Sequence, residues 1–295
     1  MNQFNISYLL TTFNKNKYLQ TTLPFLLSHL KNNEQLIIYD GDSKDGAKEL
    51  ISKCIQNKSN VEFYSEPDIG EAHGLNKCIL KARGKYLKII SDDDAYHFDT
   101  IRKACEWMDN HPNVDWMGSN GISYFYQKKN FLIKNEIYYY KKWKTSNKPF
   151  LLTGLGYLIR NTSISKLGLL NTNCKIVDFE YSLRNLSNPK ITFALSSLPF
   201  YVNIVNPNSN SINMFNQLAT EYLKYQKFYN GDNLFNIYSK YLKLKLMSIM
   251  TSINKKSIDN IDKFDFSEIF LTAYNYIHQY NQQKEFKVFS KNDKT

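Results

Sequence analysis

The chain has 295 residues, enough for one large domain or one domain with an appendage, and 42% hydrophobic with 15% aromatic content excludes a disordered or fibrous chain. Its net charge of +11 would ordinarily point to nucleic acid or an anionic surface, but all of the 38 basic residues except Arg83, Arg102, Arg160 and Arg184 are lysines. Lysine lacks the planar fork that reads bases and grips phosphate, and a lysine, asparagine and tyrosine bias follows from nucleotide composition, so no nucleic-acid partner is expected.

In chain order, Ile6 to Thr12 is a short apolar, β-prone run, and Tyr18 to Leu30 carries leucines at helical spacing with Pro24 discordant. Gln35 to Tyr39 reads as a second strand ending at Asp40, and Lys44 to Ile55 as a helix. Val61 to Tyr64 is a third strand, Glu71 to Ala82 a helix, and Lys85 to Ile90 a fourth strand ending before Asp92. Strands alternating with helices of this length imply parallel pairing through right-handed crossovers, hence an α/β fold with a doubly wound, mostly parallel sheet. Further on, Ile101 to Asn110 reads as a helix, and Lys128 to Asn130 as a hairpin tip between Tyr124–Tyr126 and Ile137–Tyr140. Thr153 to Arg160 is β-like and Ile176 to Leu186 helical. Asn206 to Asn213 has linker composition, Gln217 to Met250 one or two amphipathic helices, and the remainder a polar, disordered tail. The expected division is therefore a domain over 1–205, with halves at 1–99 and 100–205, and a helical region over 206–295.

Cys54, Cys78, Cys105 and Cys174 form no CxxC and the histidines no HxxxH pair, so neither a zinc site nor a disulfide framework is expected, and free thiols fit a reducing cytosol. The N-terminus has no basic region followed by an apolar run, and no stretch reaches membrane-spanning length.

In a doubly wound sheet, ligands sit beyond the carboxyl ends of the strands. That brings TTFNK (11–15), DGDSKDG (40–46), SEPDIG (65–70) and SDDD (91–94) to one crevice. Three of these four segments are rich in carboxylates, on a strongly positive chain. Asp92, Asp93 and Asp94 repel one another unless a cation compensates. A divalent ion such as Mg²⁺ or Mn²⁺, held by one or two carboxylates together with phosphates, answers that need, while capping of a following helix is the plain alternative. Asp40 to Gly46 reads equally as an Asp- and Gly-rich turn, or as a strand-end carboxylate that accepts from a base or sugar. Neither GxGxxG nor a P-loop is present.

TTFNK, DGDSKDG, SEPDIGEAHGLNKCILKARGKYLKIISDDD and KIVDFEYSLR together resemble family 2 glycosyltransferases with the GT-A fold, closely over Ile6 to Asp99 and more loosely from Gly154 to Arg184. The resemblance implies a nucleotide-sugar donor, a UDP-sugar favoured, held by Thr11, Phe13, Lys15, Asp40 and Asp92. It implies a DxD-type metal site at Asp93 with Asp94, and Mn²⁺ or Mg²⁺ as cofactor. Asp178 inherits the role of catalytic base, with Glu180 second, in an inverting transfer to a glycan or lipid-linked acceptor of polysaccharide biosynthesis type. His73 departs from the family's common aspartate. The basic, aromatic stretch Tyr124 to Lys148 is read as an acceptor or peripheral membrane contact, or as a solvated hairpin. A nucleotidyltransferase on a related sheet and a non-catalytic nucleotide-sugar binder are the competing classes. The former ordinarily has a glycine-rich phosphate loop, and the latter has no need of Asp178.

Overall fold

The computed structural model describes residues 4–205, 215–231 and 264–290, with a few positions between 235 and 242. The linker expected at Asn206 to Asn213 and most of the helical reading beyond Asn230 lie outside the described residues.

Strand β1 (Phe4–Thr12) is central. It pairs in parallel with β2 (Glu34–Asp40) and β4 (Gly84–Ile90), and β2 pairs in parallel with β3 (Val61–Ser65). Its side chains alternate between two cores, as a strand covered on both faces must. Ile6, Tyr8 and Leu10 meet Leu19, Leu23, Leu26 and Leu27 of α1 (Asn16–His29) and Ile51 of α2 (Ala47–Cys54). Leu9 faces Ala72, Leu75, Cys78 and Ile79 of α3 (Glu71–Lys81). The doubly wound reading of the first hundred residues is thus realised, and Pro24 sits inside α1 without ending it.

Beyond β4 the sheet continues through antiparallel β9 (Leu158–Arg160), then β6 (Trp116–Ser119), β10 (Phe193–Ser196) and β12 (Val288–Ser290), in the order β12-β10-β6-β9-β4-β1-β2-β3. A smaller sheet has the order β5-β11-β7-β8, with β5 at Ala95–Tyr96, β11 at Tyr201–Ile204, β7 at Ile122–Phe125 and β8 at Asn130–Ile133. Helices α4 (Phe98–Asp109), α5 (Glu136–Ser146), α6 (Ile164–Leu167), α7 (Val177–Leu186) and α8 (Phe215–Asn230) complete the layers.

Three expectations are corrected. The hairpin partner of β7 is Asn130–Ile133, whereas Ile137 to Tyr140 lies in α5, because Tyr140 and Trp143, three apart, bury together on one helical face. The β-like run Thr153 to Arg160 begins with a single helical turn at Gly154–Gly156 before β9. The stretch read as a polar tail contains α9 (Phe266–Gln282) and β12. Phe266, Ile269, Phe270, Ala273 and Ile277 of α9 pack on Ile122, Val202 and Ile204 of the small sheet. Burying side chains the size of Phe270 or Ile277 contributes about 1.5–3 kcal/mol each, ample to hold this helix. The division drawn at residue 206 therefore follows chain order, while residues 264–290 return in space to the first 205.

Candidate active site

The strand ends deliver their loops to one crevice and stitch them together. The Gly41 N–H donates to the Thr12 carbonyl at 2.9 Å and the Glu66 N–H to the Asp40 carbonyl at 3.0 Å. Asn14, at φ 52°, receives the Lys44 N–H on its Oδ1 at 2.9 Å and donates its own N–H to Ser43 Oγ at 2.7 Å. Gly74 lets α3 approach β1, since a Cβ there would lie 2.8 Å from the Thr11 methyl. Thr11 is thereby fixed at the crevice floor, and Phe13 is 57% exposed at its mouth.

Of the acidic residues in the second loop, Asp42 pairs with Lys44 and Lys48, and Asp45 accepts the Asn16 and Ala47 N–H groups. Asp40 alone of these is 1% exposed. Its Oδ2 accepts from the Ser43 N–H at 3.0 Å and Ser65 Oγ at 2.7 Å, while its buried Oδ1 finds no partner among the described residues. A buried acceptor left open costs about 1–3 kcal/mol unless a ligand supplies the donor.

The three aspartates after β4 have separate surroundings. Thr12, which the sequence reading passed over, donates to Asp92 Oδ2 at 2.7 Å, and Thr22 Oγ donates to the Asp92 carbonyl at 2.8 Å. Asp94, expected as a metal ligand, turns away: Oδ2 accepts from Ser91 Oγ at 2.7 Å, and Oδ1 from the Ile204 N–H at 2.7 Å and Asn203 at 3.2 Å. It ties β4 to the small sheet. Asp93 faces the crevice, its carboxylate 3.3 Å from Lys15 Nζ. Burial, with Asp93 alongside, pushes Asp92 up to about 7 and Asp94 up to about 8.

Asp178 stands in the first turn of α7. Its Oδ2 accepts from the Gly154 N–H at 3.1 Å and Oδ1 from the Phe179 N–H at 2.9 Å, and its carbonyl accepts from the Tyr157 hydroxyl at 2.5 Å. Burial raises its pKa in spite of those donors. Glu180 points elsewhere, forming a two-pronged pair with Arg184 at 2.9 and 3.2 Å and receiving Tyr229 of α8 at 3.3 Å. Two further residues were not singled out from sequence. Glu71, exposed, is nonetheless pushed up to about 7 by the protein mass around its carboxyl and then by the charges of Asp178 and Asp93, which places both aspartates within electrostatic reach of Glu71. Lys134 donates to Thr153 Oγ at 3.0 Å and the Tyr201 hydroxyl at 3.3 Å, beside the turn that holds Asp178. In the sequence Lys134 is one lysine among seven in its stretch, and nothing local distinguishes it.

Among the described residues no three carboxylates, imidazoles or thiols converge on one point. The donor set fits a hard divalent ion that takes one or two carboxylates and completes its shell with phosphate oxygens and water; Asp93, turned to the crevice, could hold one, with Asp92 beside it.

Residues 7–166 match the family model described as glycosyl transferase family 2. The chain belongs to this family. Its fold is the GT-A type anticipated from its motifs. Similar proteins include an uncharacterized glycosyltransferase of Methanocaldococcus jannaschii, 24% identical over 190 residues that make up 62% of this chain and 65% of that protein. A putative teichuronic acid biosynthesis glycosyltransferase, TuaG, of Bacillus subtilis is 25% identical over 104 residues, 35% of this chain and 41% of that one. The chain thus spans less than two-thirds of the length of these two curated relatives. The mannosyltransferase PcManGT from Pyrobaculum calidifontis, solved with GDP-Man and Mn²⁺, superposes with a TM-score of 0.59 at 13% identity, over 95% of this chain and 86% of that one. Residues 1–349 of S. aureus TarS, solved with UDP-GlcNAc, give 0.54 at 11% identity, over 96% and 93%. At such identities the likeness is one of fold.

Proposed function

We propose that this glycosyltransferase moves a sugar from a nucleoside-diphosphate donor, a UDP-sugar in the favoured reading, to a hydroxyl of a glycan or lipid-linked acceptor, with inversion and with Mn²⁺ or Mg²⁺. The observation that carries the reading is that Asp93, beside Lys15, and Asp178, half-buried with a raised pKa, both lie within electrostatic reach of Glu71. Two solved relatives of the same fold were captured with nucleotide sugars, one of them with Mn²⁺.

In this reading Asp40 Oδ1 accepts from an N–H of the donor's base, with Phe13 and Thr11 lining the base and ribose side. Asp92, already oriented by Thr12, accepts from the ribose, and Asp93 with Lys15 faces the diphosphate. Asp93 would hold a divalent ion there, and that ion would supply Lewis-acid stabilisation of the leaving diphosphate. Asp178 removes the proton from the acceptor hydroxyl as its oxygen attacks the anomeric carbon and the bond to the diphosphate breaks. A raised pKa brings this base closer to working pH. One base and one displacement give inversion. The competing nucleotidyltransferase class is set aside by the family match.

Exposed Tyr138, Tyr139, Lys141 and Lys142 of α5 support contact with an anionic acceptor or a lipid surface on the acceptor side. No described helix is long and apolar enough to cross a membrane. The four cysteines, all unpaired, support a reducing compartment.

The test is nucleotide release from UDP-GlcNAc, GDP-mannose and related donors, with Mn²⁺ and with excess EDTA. Release by the native protein that is lost in Asp93→Ala and in Asp178→Asn supports the reading. Full release in EDTA removes its metal component.

A further inference from the structure

Lys88 occupies the middle of β4 and is completely buried. In register it lies opposite Leu158 of β9, on the same face as Tyr86 and Ile90. Its Nζ donates to two main-chain carbonyls, Ile89 at 2.6 Å and Leu155 at 2.6 Å, and lies 5.2 Å from the centre of the Tyr96 ring. An interior lysine is expensive to desolvate and is rarely kept for packing alone, since a Met or Leu of similar volume fills the same space. Burial drives its pKa well below that of a free lysine. A neutral amine still has two N–H donors, the number of carbonyls it reaches.

Both contacts lead to the site. Leu155 is the middle residue of the turn Gly154–Gly156, whose Gly154 N–H holds Asp178 Oδ2 and whose neighbour Tyr157 holds the Asp178 carbonyl. The turn is clamped elsewhere by closeness: a Cβ on Gly156 would lie 3.2 Å from the Ser119 carbonyl, and one on Gly154 would lie 3.3 Å from the Asp178 Cβ. On the other side, Tyr96, whose ring faces Lys88, accepts the Ser91 N–H at 2.7 Å and so fixes the start of the aspartate run. Leu155 and Ser91 lie 64 positions apart in sequence and belong to the acceptor and donor halves of the crevice, and the lysine is the side chain that touches the supports of both.

We infer that Lys88 is a positioning residue that sets the Gly154–Gly156 turn, and through it the aim of Asp178, relative to the aspartate loop. This rests on Asp178 being the base. Displacement of a base by about 1 Å is enough to lower turnover by roughly a hundredfold without touching the donor's own contacts.

The experiment compares Lys88→Met, Asp178→Asn and the double variant in the full chain, with Lys88→Gln, which keeps an N–H donor, replacing Lys88→Met if that variant does not fold. Turnover is read as hydrolysis of UDP-GlcNAc or GDP-mannose, whichever the native protein cleaves faster, and amide hydrogen exchange is followed at Gly154 and Tyr157. The expected result is a ten- to hundredfold loss of kcat in Lys88→Met, a donor KM within about twofold, faster exchange at Gly154 and Tyr157 with β1 unchanged, and a double variant little slower than Asp178→Asn alone. Native kcat, fully multiplicative losses in the double variant, or unchanged exchange at the turn overturns the proposal. If Asp178→Asn alone leaves turnover intact, the base assignment fails, and the exchange data still decide whether Lys88 holds the turn.

Discussion

Lys15 and Asp93, separated by 78 positions in sequence, meet at 3.3 Å across the crevice. This cation faces a run of three carboxylates of which two are buried, so the local charge is left negative. The folded protein therefore binds more protons at Asp92 and Asp94 than the unfolded chain does, from about pH 4 up to their raised values near 7 and 8. Because the folded values lie above the unfolded ones, this contribution is present at low pH and falls as pH rises through 7 to 8. A bound divalent ion reverses that loss. Mn²⁺ is expected to raise the melting temperature more at pH 8 than at pH 5.5, and Asp93→Asn to abolish the increment at both. Thermal melts with and without Mn²⁺ check it, and an equal increment at the two pH values contradicts the charge argument.

Asp178→Asn and Glu180→Gln should separate cleanly. Asp178→Asn lowers transfer by roughly 10²–10⁴-fold with donor affinity nearly intact. Glu180→Gln leaves Arg184 without its carboxylate partner, so it lowers stability by about 1–3 kcal/mol and leaves kcat per folded molecule near native. Single-turnover kinetics alongside denaturant unfolding distinguish the two, and loss of kcat in Glu180→Gln alone would shift the base to Glu180.

Asp40→Asn replaces an open acceptor with an N–H₂ donor, while its remaining oxygen can still serve Ser43 and Ser65. Two donors then face each other across the base contact, and UDP affinity should drop at least about tenfold, with metal dependence unchanged. Calorimetric titration with UDP and Mn²⁺ reads the effect. Unaltered affinity would place the base elsewhere.

His97 caps α4 by accepting the Thr100 N–H and shares a 3.1 Å hydrogen bond with His278 of α9. Burial, then the His278 charge, lowers its pKa to about 4. The unfolded chain titrates near 6.5, so the unfolded state takes the proton first, and this part of the stability is complete above about pH 6.5 and lost as pH falls toward 4. Exchange protection of residues 266–282 is expected to decline over that window in the native protein, and His97→Gln to flatten the decline. Protection that stays constant from pH 7 to 4.5 would rule this out.

The donor half was legible because its physics is local. Leucines at helical spacing, apolar runs closed by Asp40 and Asp92, and the crossover rule fix a parallel sheet and the crevice at its end. The resemblance chose Asp178 over Glu180, and the Glu180–Arg184 pair now gives a structural reason to separate them. What escaped depends on distant partners. Phe266, Ile269, Phe270, Ala273 and Ile277 do repeat as a helix face, but the tyrosines, asparagines and glutamines between them gave the segment a polar composition, and the sheet that buries it lies at residues 95–204. Lys88 reads as an ordinary strand lysine turned to water, because Leu155 and Tyr96 appear beside it only after folding. Asp94 is indistinguishable from Asp93 until Ile204 and Ser91 claim its oxygens.

Strand β12 caps the β10 edge of the main sheet, pairing Ser290 with Ala194 and Val288 with Ser196, and α9 closes the small sheet alongside it. On a ribosome these pieces emerge after the strands they cover. The nucleotide-facing half, from β1 to β4, can assemble while the later chain is still being made, whereas the β10 edge and the apolar face around Ile122 and Val202 must wait. Nascent chains halted before residue 264 should therefore carry a formed donor crevice together with an unpaired strand edge, the kind of surface that chaperones bind and that pairs with neighbouring copies.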